Sequence, residues 1–258
     1  MQETTNSNIA VLVVSCDAYS DLWPPFFELY FRNWSDNKFD TFLLSNFKKY
    51  SDSRVESIIV GEDKTWSKNL INALKKLDEY EYVLLFMEDT FLKEKVDTTV
   101  LNSIIEEFTS NKGNYLTLIN EPKPNIPHNK GYGEISIGAP YRPTATFAVW
   151  KISTLLSLLD ANENAWEFEK KGAIRSDKFD KFYSVHHDQF TYIHGVIKGQ
   201  WLSPAIEDLK VLGIKVSDDR GIYSNKYQVF LFIYKVVRGV IFKITPFKYR
   251  RKLIKKDS

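Results

Sequence analysis

The stretch Tyr82-Val83-Leu84-Leu85-Phe86-Met87-Glu88-Asp89-Thr90 decides the fold. Its apolar run is short, unbroken and without polar alternation. Such a run reads as a strand buried on both faces, the habit of parallel sheets covered by helices. Two adjacent carboxylates stand at its exit, where they are costly to desolvate unless paired or metal-bound.

Working outward, Ile9 to Val14 (IAVLVV) repeats the buried-strand pattern and ends in Ser15-Cys16-Asp17. Leu22 to Tyr30 reads as a helix, with Pro24 and Pro25 tolerable only in its first turn. Asp40 to Leu44 and Val55 to Val60 are further strand candidates. Thr65 to Leu77 is amphipathic, with Leu70, Leu74 and Leu77 on one face. Val100 to Phe108 has helical period, and Tyr115 to Ile119 is strand-like. Strands alternating with helices predict an α/β architecture with a mostly parallel central sheet. Such a sheet binds ligands at the carboxyl ends of its strands. Ser15-Cys16-Asp17 and Glu88-Asp89-Thr90 both fall there.

Further along, Glu121 to Gly133 (EPKPNIPHNKGYG) reads as a long loop. Thr144 to Trp150 is expected as a strand and Ile152 to Asp160 as a helix. Asn164 to Lys171 is a short helix with Asn162 or Asn164 as its cap. Phe190 to Ile197 fits helix or strand equally.

The single cysteine, Cys16, allows no internal disulfide and suits a reducing compartment. The N-terminal MQETTNSN has no basic and apolar leader pattern, so no signal peptide is read there. No apolar run reaches the ~18 residues of a membrane span. Formal net charge is +2 over 258 residues, but residues 221–258 hold ten Lys or Arg and one Asp. That is +9 for this tail and −7 for the remainder. An acidic body argues against nucleic acid as a partner. In Gln228 to Lys243, helical spacing gathers Gln228, Lys235, Gly239 and Lys243 on one side, with Arg238 on the flank. Val229, Phe230, Phe232, Ile233, Val236, Val237, Val240 and Ile241 cover the rest, and FKYRRKLIKK follows from Phe247 to Lys256. This pattern predicts an amphipathic helix lying on an anionic membrane surface, against the plainer reading of a core-packed helix with a basic end.

Several residues carry candidate chemistry. Asp89, ahead of Glu88, suits a hard divalent cation, Mn²⁺ or Mg²⁺, able to bridge a nucleotide diphosphate. Glu167 and Glu169 stand two apart on a helix, so at most one points into a cleft; either suits a general base, with Glu169 preferred. His186, His187, Asp188 and His194 could ligate zinc or form a polar patch. Lys198 offers a cation for a departing diphosphate.

YVLLFMEDTFL resembles the acidic, metal-associated motif after the fourth strand of GT-A glycosyltransferases, with Glu-Asp-Thr in place of Asp-x-Asp. VLVVSCDAY resembles the place where those enzymes meet base and ribose, which implies roles for Ser15 and Asp17. TWSKNL resembles their donor-pocket segment and implies Trp66 and Asn69. The strings YRPTATFAVWKISTLLSLL, NAWEFE and YIHGVIKGQW resemble bacterial capsule and O-antigen sugar transferases of this fold. They imply Arg142 and Trp166 on the acceptor side and His194 or His187 completing a metal shell. The resemblance therefore implies a GT-A (Rossmann-like) domain over residues 1–220, with a nucleotide-sugar half to about residue 120 and an acceptor half after it. Residues 221–258 would be a membrane-associating tail. The implied activity is transfer of a sugar, with inversion, from a UDP-sugar to a glycan or lipid-linked acceptor in surface polysaccharide synthesis. The implied location is the cytoplasmic face of the membrane. A nucleotidyltransferase would favour a Gly-rich, basic loop after the first strand, which SCDAYSDLW lacks. A membrane scaffold or a zinc hydrolase completes the alternatives.

Overall fold

The computed structural model describes residues 8–217, 219–223, 233, 236–237, 239–242 and 244–254. Its centre is an eight-stranded sheet of order β3-β2-β1-β4-β8-β6-β9-β7. The strands are β1 (Ile9–Val14), β2 (Asp40–Ser45), β3 (Val55–Ile59), β4 (Tyr82–Met87), β6 (Tyr115–Thr117), β7 (Tyr132–Glu134), β8 (Ala148–Lys151) and β9 (Phe182–Val185). β1, β2, β3 and β4 are mutually parallel, and β9 pairs parallel with β6. β8 runs antiparallel between β4 and β6, and β7 runs antiparallel at the edge.

The helices α1 (Trp23–Asn33), α2 (Trp66–Leu74), α3 (Thr98–Ser110) and α4 (Ile152–Leu158) cover both faces. Ile9, Val11 and Val13 of β1 pack with Phe26 and Tyr30 of α1 and with Ile105 and Phe108 of α3. Ala10, Leu12 and Val14 pack with Leu70 and Leu74 of α2 and Leu155 of α4. Alternate side chains of one strand thus enter two separate cores, which is why the run carries no polar alternation.

The helix ends follow their local chemistry. Pro24 and Pro25 fall in the first turn of α1, where a missing N–H costs nothing. Thr65 caps α2 by accepting from Lys68 N, and Asp97 caps α3 through Val100 N. Asn164 opens a composite helical segment, 165–178, with a full capping box closed by Glu167. Its middle, Phe168–Gly172, is a π turn, a feature that re-aims side chains within a helix.

Two expectations need correction. The strand expected over Thr144 to Trp150 begins only at Ala148. Thr144 N–H goes to Tyr115 Oη and Ala145 N–H to Glu169, so these groups are not available to a ladder. The loop Glu121 to Gly133 ends early, because Tyr132 already opens β7. The undecided segment Phe190 to Ile197 is extended. β10 (Tyr192–His194) pairs antiparallel with β5 (Thr90–Leu92), and β11 (Val196–Ile197) forms a hairpin with β12 (Gln200–Trp201).

In the tail, the described residues from Ile233 to Ile244 are helical, and a last helix spans Phe247–Ile254. Gln228, Val229, Phe230, Phe232, Lys235, Arg238, Lys243, Lys255 and Lys256 lie outside the described residues. Among the described residues, no helix is long and apolar enough to cross a membrane.

Candidate functional site

The parallel register sets the exits of β1 and β4 side by side, Val14 opposite Met87. At the β1 exit, Ser15 Oγ accepts from Trp23 Nε1 at 2.8 Å. Asp17 was expected to meet the ribose or base, but its carboxylate is turned to the chain's own backbone. It accepts from Asn46 N at 3.0 Å, Phe47 N at 3.1 Å and Lys48 N at 3.2 Å. Three successive N–H groups form a nest that holds one carboxylate. Asp17 N donates in return to Asn46 Oδ1, and Asn46 Nδ2 to Gly61 O. The pair stitches together the loops that leave β1, β2 and β3. Burial pushes the Cys16 thiol up to about 11, with Glu88 and Asp63 adding to it, which disfavours its thiolate form.

At the β4 exit, Glu88 is buried and its Oε2 has no hydrogen-bond partner among the described residues. Burial, then the charge of Asp89, holds its carboxyl well above the ordinary range. That environment favours the protonated form of Glu88. The β5–β10 ladder brings His194 opposite Thr90, and His194 Nε2 lies 3.3 Å from Asp89 Oδ2. Gly195 N donates to Asp89 O at 2.8 Å, which fixes this approach.

The α2 side closes the crevice towards β1. Asn69 is buried and donates to Asp63 Oδ1 at 2.6 Å, leaving its own Oδ1 without a partner among the described residues. Trp66 packs against Phe168, ring centres 5.5 Å apart, with a buried Nε1 likewise unpaired. Trp66 thus belongs to the lower core as well as to the crevice wall.

The antiparallel strand β8 supplies the opposite wall. Ala148 stands opposite Leu85, so the preceding residues run past the β4 exit, and Met87 N donates to Thr146 Oγ1 at 3.2 Å. The neighbouring Ala145 N donates to Glu169 Oε1 at 2.9 Å. Glu169 is therefore delivered to the same end of the sheet as Glu88 and Asp89. Burial pushes its carboxyl up to about 7, against the lowering effect of Ala145 N–H, and Glu121 adds to the rise.

Glu167 faces elsewhere. It accepts from Asn164 N and pairs with Lys171 Nζ at 3.1 Å, and these bonds, the first largest, hold its carboxyl below the ordinary range. Of the two glutamates, only Glu169 has the burial and raised pKa of a base. Trp166, three residues before Glu169, is 59% exposed. Arg142 does not reach the surface. It is fully buried, donates to Ile135 O, Ser176 O and Phe179 O, and lies over the Phe182 ring at 4.3 Å. Its role is to satisfy three loop carbonyls, and an acceptor cannot touch it.

Lys198 is exposed in the turn between β11 and β12. The cation nearer the β1 exit is one that sequence reasoning missed. Arg220 pairs with both oxygens of Asp21, donates to Ala18 O at 2.7 Å and lies 4.3 Å over the Tyr19 ring. It also lowers the Glu88 pKa, so its charge is felt in the crevice. No local motif marks it, because it arrives from far along the chain.

The zinc alternative is not supported by the geometry. His186 Nε2 lies 3.1 Å from Asn129 O, and Asp188 accepts from Asn120 N. Among the described residues, no group of three or more His, Cys, Asp or Glu is placed to hold a metal. Asp89 and His194 form a two-donor pair, which fits an open cation site completed by substrate phosphate oxygens and water.

The fold is α/β and gathers Glu88, Asp89 and Glu169 at the carboxyl end of its parallel strands, where ligands bind in such sheets. No protein-family model matches the chain, and neither does any curated protein. Solved structures of similar chain path include TarS from S. aureus, at TM-score 0.47 and 11% identity over 80% of this chain and 39% of that one. A shorter S. aureus TarS in complex with UDP-GlcNAc has TM-score 0.46 and 11% identity over 80% of this chain and 65% of that chain. UTP-bound UGPase from Acinetobacter baumannii has TM-score 0.45 and 11% identity, covering 72% of this chain and 88% of that chain. The chain spans 39% of the length of the first of these.

Proposed function

We propose that this protein is a glycosyltransferase that moves a sugar from a nucleotide-sugar donor, a UDP-sugar, to a hydroxyl of a glycan or lipid-linked acceptor in surface polysaccharide synthesis. The observation that carries the reading is the pairing of two unlike acidic positions at one sheet end. Asp89 stands beside His194, and Glu169 is held near neutral pKa by burial. A side that holds a cation or phosphate and a separate near-neutral base are the division of labour that such transfer requires.

In this reading the donor's base and ribose lie where the β1, β2 and β3 exits meet, against Ser15, Trp66 and Asn69. Glu88, whose buried Oε2 has no partner among the described residues, makes a hydrogen bond to the donor. Asp89 and His194 would hold a divalent cation, which when bound neutralises the charge of a departing diphosphate. Lys198 and Arg220 add positive charge on the same side. The acceptor stacks on the exposed ring of Trp166. Glu169 takes the proton of the acceptor hydroxyl as its oxygen bonds to the anomeric carbon. The bond from that carbon to the diphosphate breaks, and the nucleoside diphosphate leaves with the electron pair. A single displacement of this kind inverts the anomeric centre.

The test is calorimetric titration with UDP, with and without Mn²⁺, for the native protein and Asp89→Ala. Loss of one charge-assisted contact should weaken metal-dependent binding by about 10–100-fold. Binding indifferent to metal and mutation removes the cation assignment. Absence of any nucleotide binding overturns the enzyme reading. A nucleotidyltransferase, to which the charge of Arg220 over the β1 exit is also suited, is separated by product: it forms or consumes pyrophosphate, whereas a glycosyltransferase releases UDP.

A further inference from the structure

The chain that follows the sheet returns to the body in one place and leaves an apolar stripe uncovered in another. Ile233, Val236, Val237, Val240, Ile241 and Ile244 are helical and 42–75% exposed. Their spacing is i, i+3, i+4, i+7, i+8 and i+11, a single stripe along one side of a helix. Six aliphatic side chains held in water as one contiguous patch mark an interaction surface rather than scattered exposure.

The next helix, Phe247–Ile254, is fastened to the body through Arg251. Arg251 pairs with both carboxylate oxygens of Asp177, and donates to Ala139 O at 3.0 Å and Ala173 O at 2.6 Å. Asp177 is in turn held by Gly138 N at 3.1 Å. Asp177 and Ala173 belong to the composite segment 165–178, the same segment that carries Trp166 and Glu169. The stripe is therefore tethered to the segment that carries Trp166 and Glu169.

Charge selects the occupant. Residues 221–258 carry ten Lys or Arg against one Asp, while the rest of the chain nets −7. A second copy of the arm would set two strongly basic segments together. A neutral apolar groove would use the stripe and leave the charge without a purpose. An anionic bilayer satisfies both, the stripe entering the interface and the basic residues meeting lipid phosphates.

We infer that this arm docks the protein on an anionic lipid surface, with the 233–244 stripe in the interface and the Arg251–Asp177 clamp fixing the tilt of the body. The inference is independent of the nucleotide-sugar reading. It is tested by co-sedimentation of the full-length protein with phosphatidylcholine vesicles, with and without phosphatidylglycerol, at low and high salt. Binding should require phosphatidylglycerol and weaken at high salt. The double variant Val236→Asp with Val240→Asp should lose about tenfold or more of the partition, with an unchanged melting temperature. Equal binding to neutral vesicles, no binding, or undiminished binding of the double variant overturns the inference. So does a lipid-free dimer in light scattering that the double variant splits, since the stripe would then belong to a second copy. For the clamp, Arg251→Ala should raise hydrogen exchange across 247–254 in the vesicle-bound protein, and unchanged exchange overturns that part.

Discussion

His194 and Asp89 meet at 3.3 Å although 105 positions separate them, and the contact depends on the glycine that follows the histidine. Gly195 gives its N–H to Asp89 O and lies against the rings of Phe91 and Trp201. A Cβ there would collide with the Phe91 ring and stand 3.0 Å from Trp201. Both rings are buried and stacked on each other, so neither can yield.

Gly195→Ala is therefore expected to push β10 away from β5. Overpacking of this kind costs about 1–3 kcal/mol. The melting temperature should fall, and metal-dependent UDP affinity should fall with it, because the Asp89–His194 distance opens. An unchanged affinity in a folded variant would show that the pair takes no part in donor binding.

Glu169 gives two linked expectations. As a base its activity should rise with pH through about 7, and Glu169→Gln should abolish that limb while lowering kcat by ~10²–10⁴-fold. Stability should move the other way. A carboxyl whose folded pKa lies above its ordinary 4.5 favours the fold while protonated, and this advantage is lost as pH rises through about 7. Glu169→Gln, which still accepts from Ala145 N–H, should be more stable than the native protein at pH 8 by roughly 1–3 kcal/mol. At pH 4 the two should converge. Thermal melts at both values, beside pH–rate profiles, measure it.

Arg142 separates a structural role from a binding one. Arg142→Met removes three hydrogen bonds to loop carbonyls and should cost about 2–4 kcal/mol by chemical denaturation. Arg142→Lys should recover little, since an ammonium cannot reproduce the planar fork. At a temperature where the variants remain folded, KM for the acceptor should not change.

How much was legible in the sequence follows from where the information sits. β1 and β4 matched their expected limits because a strand covered on both faces writes itself as an unbroken apolar run. Asn164, one of two cap candidates with Asn162, announced its helix because a cap is a local event. The second half of the sheet was less readable. β7 is only Tyr132–Glu134, and β9 mixes Tyr183 and Ser184 into an apolar stretch, so neither carries a period. They are strands because of partners distant in sequence. The site divides in the same way. Asp89 and Glu88 were visible as acids at a strand exit, and Glu169 as one of two glutamates. Asp17 gave no local sign that the β2 loop would claim its carboxylate, nor Arg142 that it would be sealed beneath Phe182. Arg220 had no motif at all.

The strand β8 has a consequence for how accurately the crevice is built. It joins β4, which ends in the Asp89 side, to Ala145, whose N–H holds Glu169. The separation across the crevice is thus a length of chain counted along one antiparallel ladder, with Leu85 opposite Ala148 as its zero mark. A slip of one residue would turn the fully buried Trp150 to the wrong face. A slip of two would keep every face correct yet shift Ala145 by about 7 Å, carrying the carboxylate it holds out of reach. The indole of Trp150, packed against Tyr115 and Phe182, guards against the first error, and the Thr146 hydroxyl under Met87 N–H against the second. Alignment of the two walls is in this sense a matter of counting residues, kept honest by one ring and one hydroxyl.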